Sequence, residues 1–192
     1  MLRRSLLTSA IAASLLTTFS LPAFATQVYE TDLVIIGGGL SGLAAAQSAV
    51  DQGAKPIVLE KEAALGGGGN FPEGSLGVGT RYQKEHNINT TVDQVLTAAL
   101  QYHHYRADPH VLRVLIEESG KTIDWVMDKG AQMRGIRTMY PKDESLMTWH
   151  LFKGGAAGII QRFAKEVRAK GGTILTETPA KKLIVENGKV VG

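Results

Sequence analysis

The sequence predicts an α/β fold organised around a parallel strand–helix–strand unit, and three observations carry that prediction. Residues 31–36 (TDLVII) are an apolar, β-branched run of the kind expected for a buried strand in a parallel sheet. A glycine-rich turn follows at once, and after it an alanine-rich stretch, residues 40–52. There Leu43, Ala46 and Val50 share one helical face, with Leu40 one turn earlier. Gly53 ends that helix, and residues 56–60 (PIVLE) make a second apolar strand. Strand, glycine turn, helix and strand within about thirty residues form a βαβ unit, whose crossover makes the two strands parallel.

The remaining elements are read in order. Residues 65–79 are glycine-rich and predict no regular structure. Residues 91–130 predict helices: Val92, Val95, Leu96 and Leu100 recur at helical spacing behind Thr90 and Thr91. Asp108 and Pro109 mark a helix start, with Asp at the cap and Pro at the first position. Val111, Leu112, Leu115 and Ile116 supply the expected buried face of that helix, and residues 121–129 read as a further helix stopped by Gly130. Residues 131–152 carry no clear pattern. A helix after residues 154–158 presents Ile159, Ile160, Phe163 and Val167, and Gly171 and Gly172 end it. Residues 173–176 and 182–185 predict strands. Asn187 and Gly188 are a type I′ hairpin turn leading to residues 189–191. The chain ends at Gly192 as an apolar strand begins, which predicts the N-terminal part of a longer domain.

Residues 1–25 precede this fold. Arg3 and Arg4 lie before an uncharged apolar stretch, residues 6–21, followed by Pro22 and Ala23-Phe24-Ala25. This is the layout of a cleavable secretory leader, with cleavage expected after Ala25. A membrane anchor is the other reading, but the stretch is short for a span and a cleavage signal follows directly. The predicted organisation is a leader at 1–25 and a domain at 26–192. The mature protein is expected to be periplasmic or otherwise exported. Arg3-Arg4-Ser5-Leu6-Leu7 is similar to a twin-arginine signal; paired arginines also occur in general secretory leaders, so both routes stand. Loss of Arg3 and Arg4 lowers the net charge from +3 to +1. No basic stripe remains to suggest nucleic-acid binding. The chain has no cysteine, which excludes disulfides, thiolate metal sites and haem attachment within it.

The chemistry is concentrated in the first βαβ unit. Residues 37–42 (GGGLSG) fit G-x-G-x-x-G. Gly37 allows the tight turn, Gly39 lets the backbone approach a pyrophosphate, and Gly42 lets helix and strand pack closely. Leu40 and Ser41 open the helix, whose N-terminal amides and partial positive charge suit phosphate. Glu60 closes the second strand, 18 positions beyond Gly42, where an acidic residue can accept hydrogen bonds from ribose hydroxyls. These contexts together predict dinucleotide binding. A carboxylate there disfavours a 2′-phosphate and hence NADP, while FAD and NAD both remain.

A second glycine cluster extends the pattern: Leu65, Gly66 to Gly69 and Asn70, then residues 74–79 (GSLGVG). The run from Val34 through Glu60, Lys61 and these glycines resembles the FAD-binding start of the fumarate reductase and succinate dehydrogenase flavoproteins. The likeness continues through residues 153–158 and 171–192. It implies a Rossmann-like FAD/NAD(P)-binding domain with a helical insertion, incomplete at its C-terminus, and FAD as cofactor. It places Lys61, Gly66, Gly67, Asn70, Gly74 and Ser75 along the FAD and the backbone of Ala180 at the adenine. Members with covalent FAD carry a histidine in the segment matching residues 70–79. This chain has none there, so noncovalent FAD is expected. The resemblance implies an oxidoreductase moving a hydride between flavin and a carbon–carbon bond of a small organic substrate, typically an unsaturated carboxylate. A cytochrome or quinone-linked electron donor is the partner it suggests. The catalytic groups of that family lie in later segments, so no residue here is assigned catalysis. A ketosteroid-type FAD dehydrogenase, or a truncated and inert FAD-binding remnant, are the alternatives.

Other polar candidates weigh less. His103 and His104 would point about 100° apart on a helix and cannot readily share an ion with His110. No metal is expected. His150, beside Trp149, is either near the flavin or a structural histidine. Asp124 and Trp125 read as surface and packing residues.

Overall fold

A computed structural model describes residues 27–139 and 146–192. The leader segment and part of the unassigned 131–152 stretch lie outside those residues. The chain divides into two units, residues 1–30 and 31–192, and the second carries all the regular structure described. Among the described residues no helix is long and apolar enough to cross a membrane.

The expected βαβ unit is present: β1 (Val34–Ile36), α1 (Leu40–Asp51) and β2 (Ile57–Leu59), with β1 and β2 parallel. Much later in the chain, α5 (Gly155–Ala169) leads to β6 (Thr173–Leu175), which adds to β2 in parallel and gives the order β1-β2-β6. Ile35, Val58 and Ile174 sit near one another across the three strands, and the strand period of two sends them to one face. There they pack on Ala46 and Val50 of α1 and Val167 of α5. The larger core lies where Leu43 meets Ile160, Phe163 and Phe152, with Trp125 tilted on Phe163 at 5.3 Å between ring centroids.

β1 departs from the expectation of a strand buried on both faces. Val34 and Ile36 alternate away from the helices and are 47% and 62% exposed. β1 is at the sheet edge, and the helices packed on the sheet, α1 and α5, meet the face that carries Ile35. Apolar composition alone cannot say which faces are covered.

Between β2 and α5 lies a second assembly. It contains a 3-10 turn (Gly67–Asn70), β3 (Gly74–Leu76), α2 (Arg81–Glu85), α3 (Val92–Tyr102), α4 (Pro109–Asp128), β4 (Met133–Thr138) and β5 (Met147–Phe152). β3, β5 and β4 form an antiparallel sheet with β5 central. The expected helical insertion is therefore helices plus a sheet. Residues 65–79 also hold regular structure where none was predicted, because their pairing partner, β5, comes some 70 residues later.

α4 is continuous through residue 120, where two helices were expected. Gly120 does not break it: a Cβ there would collide with the Val78 carbonyl oxygen, so the glycine is a notch for the chain leaving β3. Its helical cost, about 1 kcal/mol against alanine, is offset by that contact. The expected cap holds, since the Asp108 carboxylate accepts the His110 and Val111 amides. The expected face does not. The buried stripe is Ile116, Ser119, Gly120, Ile123 and Val126, while Val111 and Leu115, about 100° round the helix from Leu112 and Ile116, are exposed. Thr80 with Gln83 and Thr91 with Gln94 form capping boxes. The first of these, T-x-x-Q in sequence, marks α2, which the periodicity missed. The expected hairpin turn forms between β7 (Val185–Glu186) and β8 (Lys189–Val190), with Asn187 and Gly188 both at positive φ as a type I′ turn requires, but of the strand expected at 182–185 only Val185 is paired as strand.

Asp51 at the end of α1 ties three helix ends together. It pairs with Lys129 at 2.5 Å and Lys170 at 2.6 Å and accepts from Gln47. The bonds to Lys129 and Lys170 hold its carboxyl at about 2, below the ordinary 3.8. A depressed carboxylate stabilises the fold above pH 3.8, and that contribution disappears as pH falls toward 2. Allowing for solvent screening, Asp51→Asn is expected to cost about 1 kcal/mol at neutral pH. Melting of both proteins from pH 7 to pH 2 checks this, and the difference should close below pH 4.

Candidate functional site

The C-terminal ends of β1, β2 and β6 meet the two glycine clusters, at the sheet edge where open α/β folds bind ligands. Gly37 turns the chain out of β1 at φ 102°, a conformation that disfavours any side chain, and its amide donates to the Leu59 carbonyl at 2.8 Å. Gly42 sits so close beneath the turn that a Cβ would collide with the Gly37 carbonyl oxygen. This is the close helix–strand approach expected of the third glycine.

α1 begins at Leu40 behind Gly39, with no side-chain cap and no acidic residue in its first turn. The opening amides of a helix have no intrahelical acceptor, and here no carboxylate competes for them. Gly39, Leu40 and Ser41 border that end. The arrangement can hold an anion by hydrogen bonds and by the helix field.

Glu60 is 8% exposed, and each oxygen of its carboxylate accepts one backbone amide. Oε2 accepts the Gly38 amide at 2.7 Å and Oε1 accepts the Glu62 amide at 2.9 Å. These bonds, that from Glu62 first, hold its pKa below the usual carboxylate value despite burial, so it is ionised at neutral pH. Two oxygens offer about four acceptor positions, leaving capacity for hydroxyl donors. Lys61 is exposed and pairs with Glu62 at 3.5 Å.

The second cluster is bonded to the first. The Gly66 amide donates to the Gly38 carbonyl at 2.9 Å, and Gly39 and Gly66 form an isolated parallel bridge. Gly66 and Gly67 both have positive φ. The Asn70 side chain fills the place a Gly66 Cβ would need and donates to the Leu65 carbonyl at 2.9 Å. Ala180 is exposed. The segment leading to it lies against the acid, because the Glu177 and Thr178 amides donate to the carbonyls of Glu62 and Glu60. Gly37, Gly39, Leu40, Ser41, Gly42, Glu60, Lys61, Gly66, Gly67 and Asn70 thus lie around the C-terminal ends of β1 and β2, and Ala180 follows two residues after the segment bonded to Glu60 and Glu62.

Gly74 and Ser75 lie on the other sheet, in β3. Gly74 is buried where a Cβ would collide with the His150 carbonyl oxygen, and Ser75, opposite His150, is exposed. The chain before β3 is tied to α5 by the Ala156 amide, which donates to the Pro72 carbonyl at 3.0 Å. An open groove of about 600 Å³ lined by Arg81, Tyr82, Asp128 and Lys153 lies apart from all of these positions.

The G-x-G-x-x-G pattern leaves the position of Gly38 free and so does not mark it. Its amide holds Glu60, and a Cβ there would press on Leu65 and Glu60. The run of three glycines was the available signal. His150 is fully buried and bonded through both ring nitrogens. Asp124 accepts the Arg81 amide at 3.0 Å. His103 caps the end of α3, and among the described residues no three His, Cys, Asp or Glu side chains cluster as metal ligands.

Comparison with known proteins agrees with this geometry. The FAD binding domain family, FAD_binding_2, matches residues 32–192. A vinyl phenol reductase of Lactiplantibacillus plantarum is 35% identical over 150 residues, covering 78% of this chain and 30% of the relative. An NADH:fumarate oxidoreductase of Klebsiella pneumoniae is 27% identical over 173 residues, covering 84% of this chain and 18% of the relative. The chain therefore spans less than a third of these proteins. A flavocytochrome c3 fumarate reductase in its open conformation superposes with a TM-score of 0.69 at 22% identity, over 84% of this chain and 29% of that one. With its glycine turn, an acid at the end of β2 and a second glycine cluster in place, this chain belongs to the FAD_binding_2 family of FAD binding domains, the flavoprotein fold of fumarate reductases.

Proposed function

We propose that the protein is an FAD-dependent reductase of the fumarate reductase type, and that this chain supplies its FAD binding. The observation that carries the reading is the pairing of an uncapped α1 N-terminus with the ionised Glu60 carboxylate, about one βαβ unit apart and at one sheet edge. The opening amides of α1, beside Gly39, Leu40 and Ser41, bind the pyrophosphate. Glu60 accepts ribose hydroxyls with its remaining lone pairs. Gly37, Gly42, Gly66 and Gly67 let backbone approach backbone around the cofactor, and Lys61 flanks the ribose. Asn70, Gly74 and Ser75 line the flavin half, and the Ala180 backbone meets the adenine.

FAD bound there supplies hydride transfer between its N5 and a carbon–carbon bond. The relatives named above reduce a vinyl phenol and fumarate by their names, which supports an unsaturated organic substrate, with an unsaturated carboxylate favoured. A cytochrome or quinone-linked donor would supply electrons. The leader pattern at 1–25 supports export, with the periplasm as destination, and the absence of a histidine at residues 70–79 supports noncovalent attachment.

Three outcomes are expected. Acid precipitation of the purified yellow protein should release FAD to the supernatant; NAD in its place, or colour kept in the pellet, would count against the cofactor or its attachment. Glu60→Ala should weaken FAD binding roughly tenfold to a hundredfold, since a hydrogen bond to a charged group contributes about 1.5–3 kcal/mol. Glu60→Gln should fall between, because it keeps one acceptor oxygen and turns an amide N–H toward one of the two backbone donors. Titration of the apoproteins by flavin fluorescence measures both. N-terminal sequencing of exported protein should begin at Thr26.

A further inference from the structure

A polar network around His150 lies apart from the hydrogen bonds of Glu60 and the glycine turn. Nδ1 lies 3.0 Å from the Thr148 carbonyl, which can only accept, so Nδ1 carries the proton. Burial depresses the pKa of the ring, against the opposing influence of the Thr148 bond and of Asp124, and the ring is neutral at pH 7. Nε2 is then an acceptor, and the Thr80 hydroxyl donates to it at 2.9 Å. That hydroxyl has a second possible acceptor, Gln83 Oε1, at 3.4 Å, so the His150 bond is the better formed.

The hydrogen bonds of the ring bear, directly or through Thr148, on one short segment, and Tyr82 just beyond it meets the ring edge-on at 6.2 Å between centroids. The Thr148 carbonyl that His150 holds also accepts the Gly77 amide at 2.9 Å. The ring lies flush on Gly77: a Cβ there would come within 2.8 Å of both Nδ1 and Cε1. Thr80 ends the segment, directly after Gly79 at φ 77°. Two of the four residues at 77–80 are glycines, the most costly residues to order, and His150 braces them at both ends. The segment continues β3, which carries Gly74, opposite Leu151, and Ser75, opposite His150.

We propose that His150 is a positioning residue for the cofactor: it fixes residues 77–80, and through them the β3 edge that meets the flavin. The inference rests on β3 lining the flavin. His150 itself is fully buried and touches no ligand.

Two substitutions in the FAD-loaded, full-length protein divide its hydrogen bonds. His150→Gln keeps an acceptor near the Nε2 position for Thr80, and His150→Asn keeps a donor near the Nδ1 position for Thr148. His150→Asn should weaken FAD binding about tenfold and change the visible circular dichroism of the bound flavin, with His150→Gln within about twofold of the parent. Equal losses of melting temperature in both apoproteins, with flavin affinity and spectrum unchanged, would show a merely structural residue and overturn the proposal. Should His150→Asn fail to fold, Thr80→Val against Thr80→Ser removes and keeps the same bond from its other end, with the same two outcomes. Ser75→Trp separates the underlying reading: if it leaves FAD affinity intact, β3 does not line the flavin and the proposal falls with that reading. If Ser75→Trp blocks FAD while the His150 and Thr80 variants do not alter the flavin, the positioning role alone is overturned.

Discussion

Glu60 is the residue on which the geometry of the site depends. Its main chain joins the parallel sheet, with its amide donating to the Leu175 carbonyl and its carbonyl accepting the Thr178 amide, both at 2.8 Å. Its side chain reaches the other way, to the amides of Gly38 and Glu62. One residue thus connects the end of β2, the turn after β1, the start of the second glycine cluster and the segment toward Ala180. A buried carboxylate is stable only when its charge is met by donors, and backbone amides meet it here. The ionised form that this environment favours is also the form able to accept hydroxyl donors.

Around that anchor the glycines serve two distinct ends. Gly37, Gly66 and Gly67 occupy positive-φ conformations that turn the chain. Gly42, Gly74 and Gly120 are instead places where a Cβ would strike a carbonyl oxygen of a neighbouring strand, turn or segment. The first kind shapes the loops; the second kind brings backbones together so that α1 lies under its own turn and α4 lies under the end of β3. Glycine ordering is entropically costly, and the bonds of Glu60, Asn70, Ser119 and His150 to the same segments offset that cost.

The similarity to solved flavoproteins fits this distribution of constraint. At 22% identity to the flavocytochrome c3 fumarate reductase, most side chains differ, yet the backbone superposes with a TM-score of 0.69. The geometry of this chain itself makes a small set of demands: residues without a Cβ where backbones cross, an acid at the end of β2, and apolar faces of the right period.

By itself the sequence determined the local events. The βαβ unit, the turn at Gly37, the cap at Asp108, the type I′ hairpin at Asn187 and Gly188, and the acid at Glu60 follow from short-range sterics, capping and periodicity within a few turns of chain. Tertiary structure decided whatever depends on distant partners. β3 forms because β5 lies beside it, Gly120 stays helical because Val78 crosses there, and Gly38 matters because Glu60 reaches back 22 residues to its amide. The exposure of Val34 and Ile36, and of Val111 and Leu115, was equally illegible, since apolar residues state a preference for burial and not which neighbour provides it. His150 shows the same division. One sequence position could suit a ligand or a core, and it became a brace because Thr80, Thr148 and Gly77, from two separated stretches of chain, close around its ring.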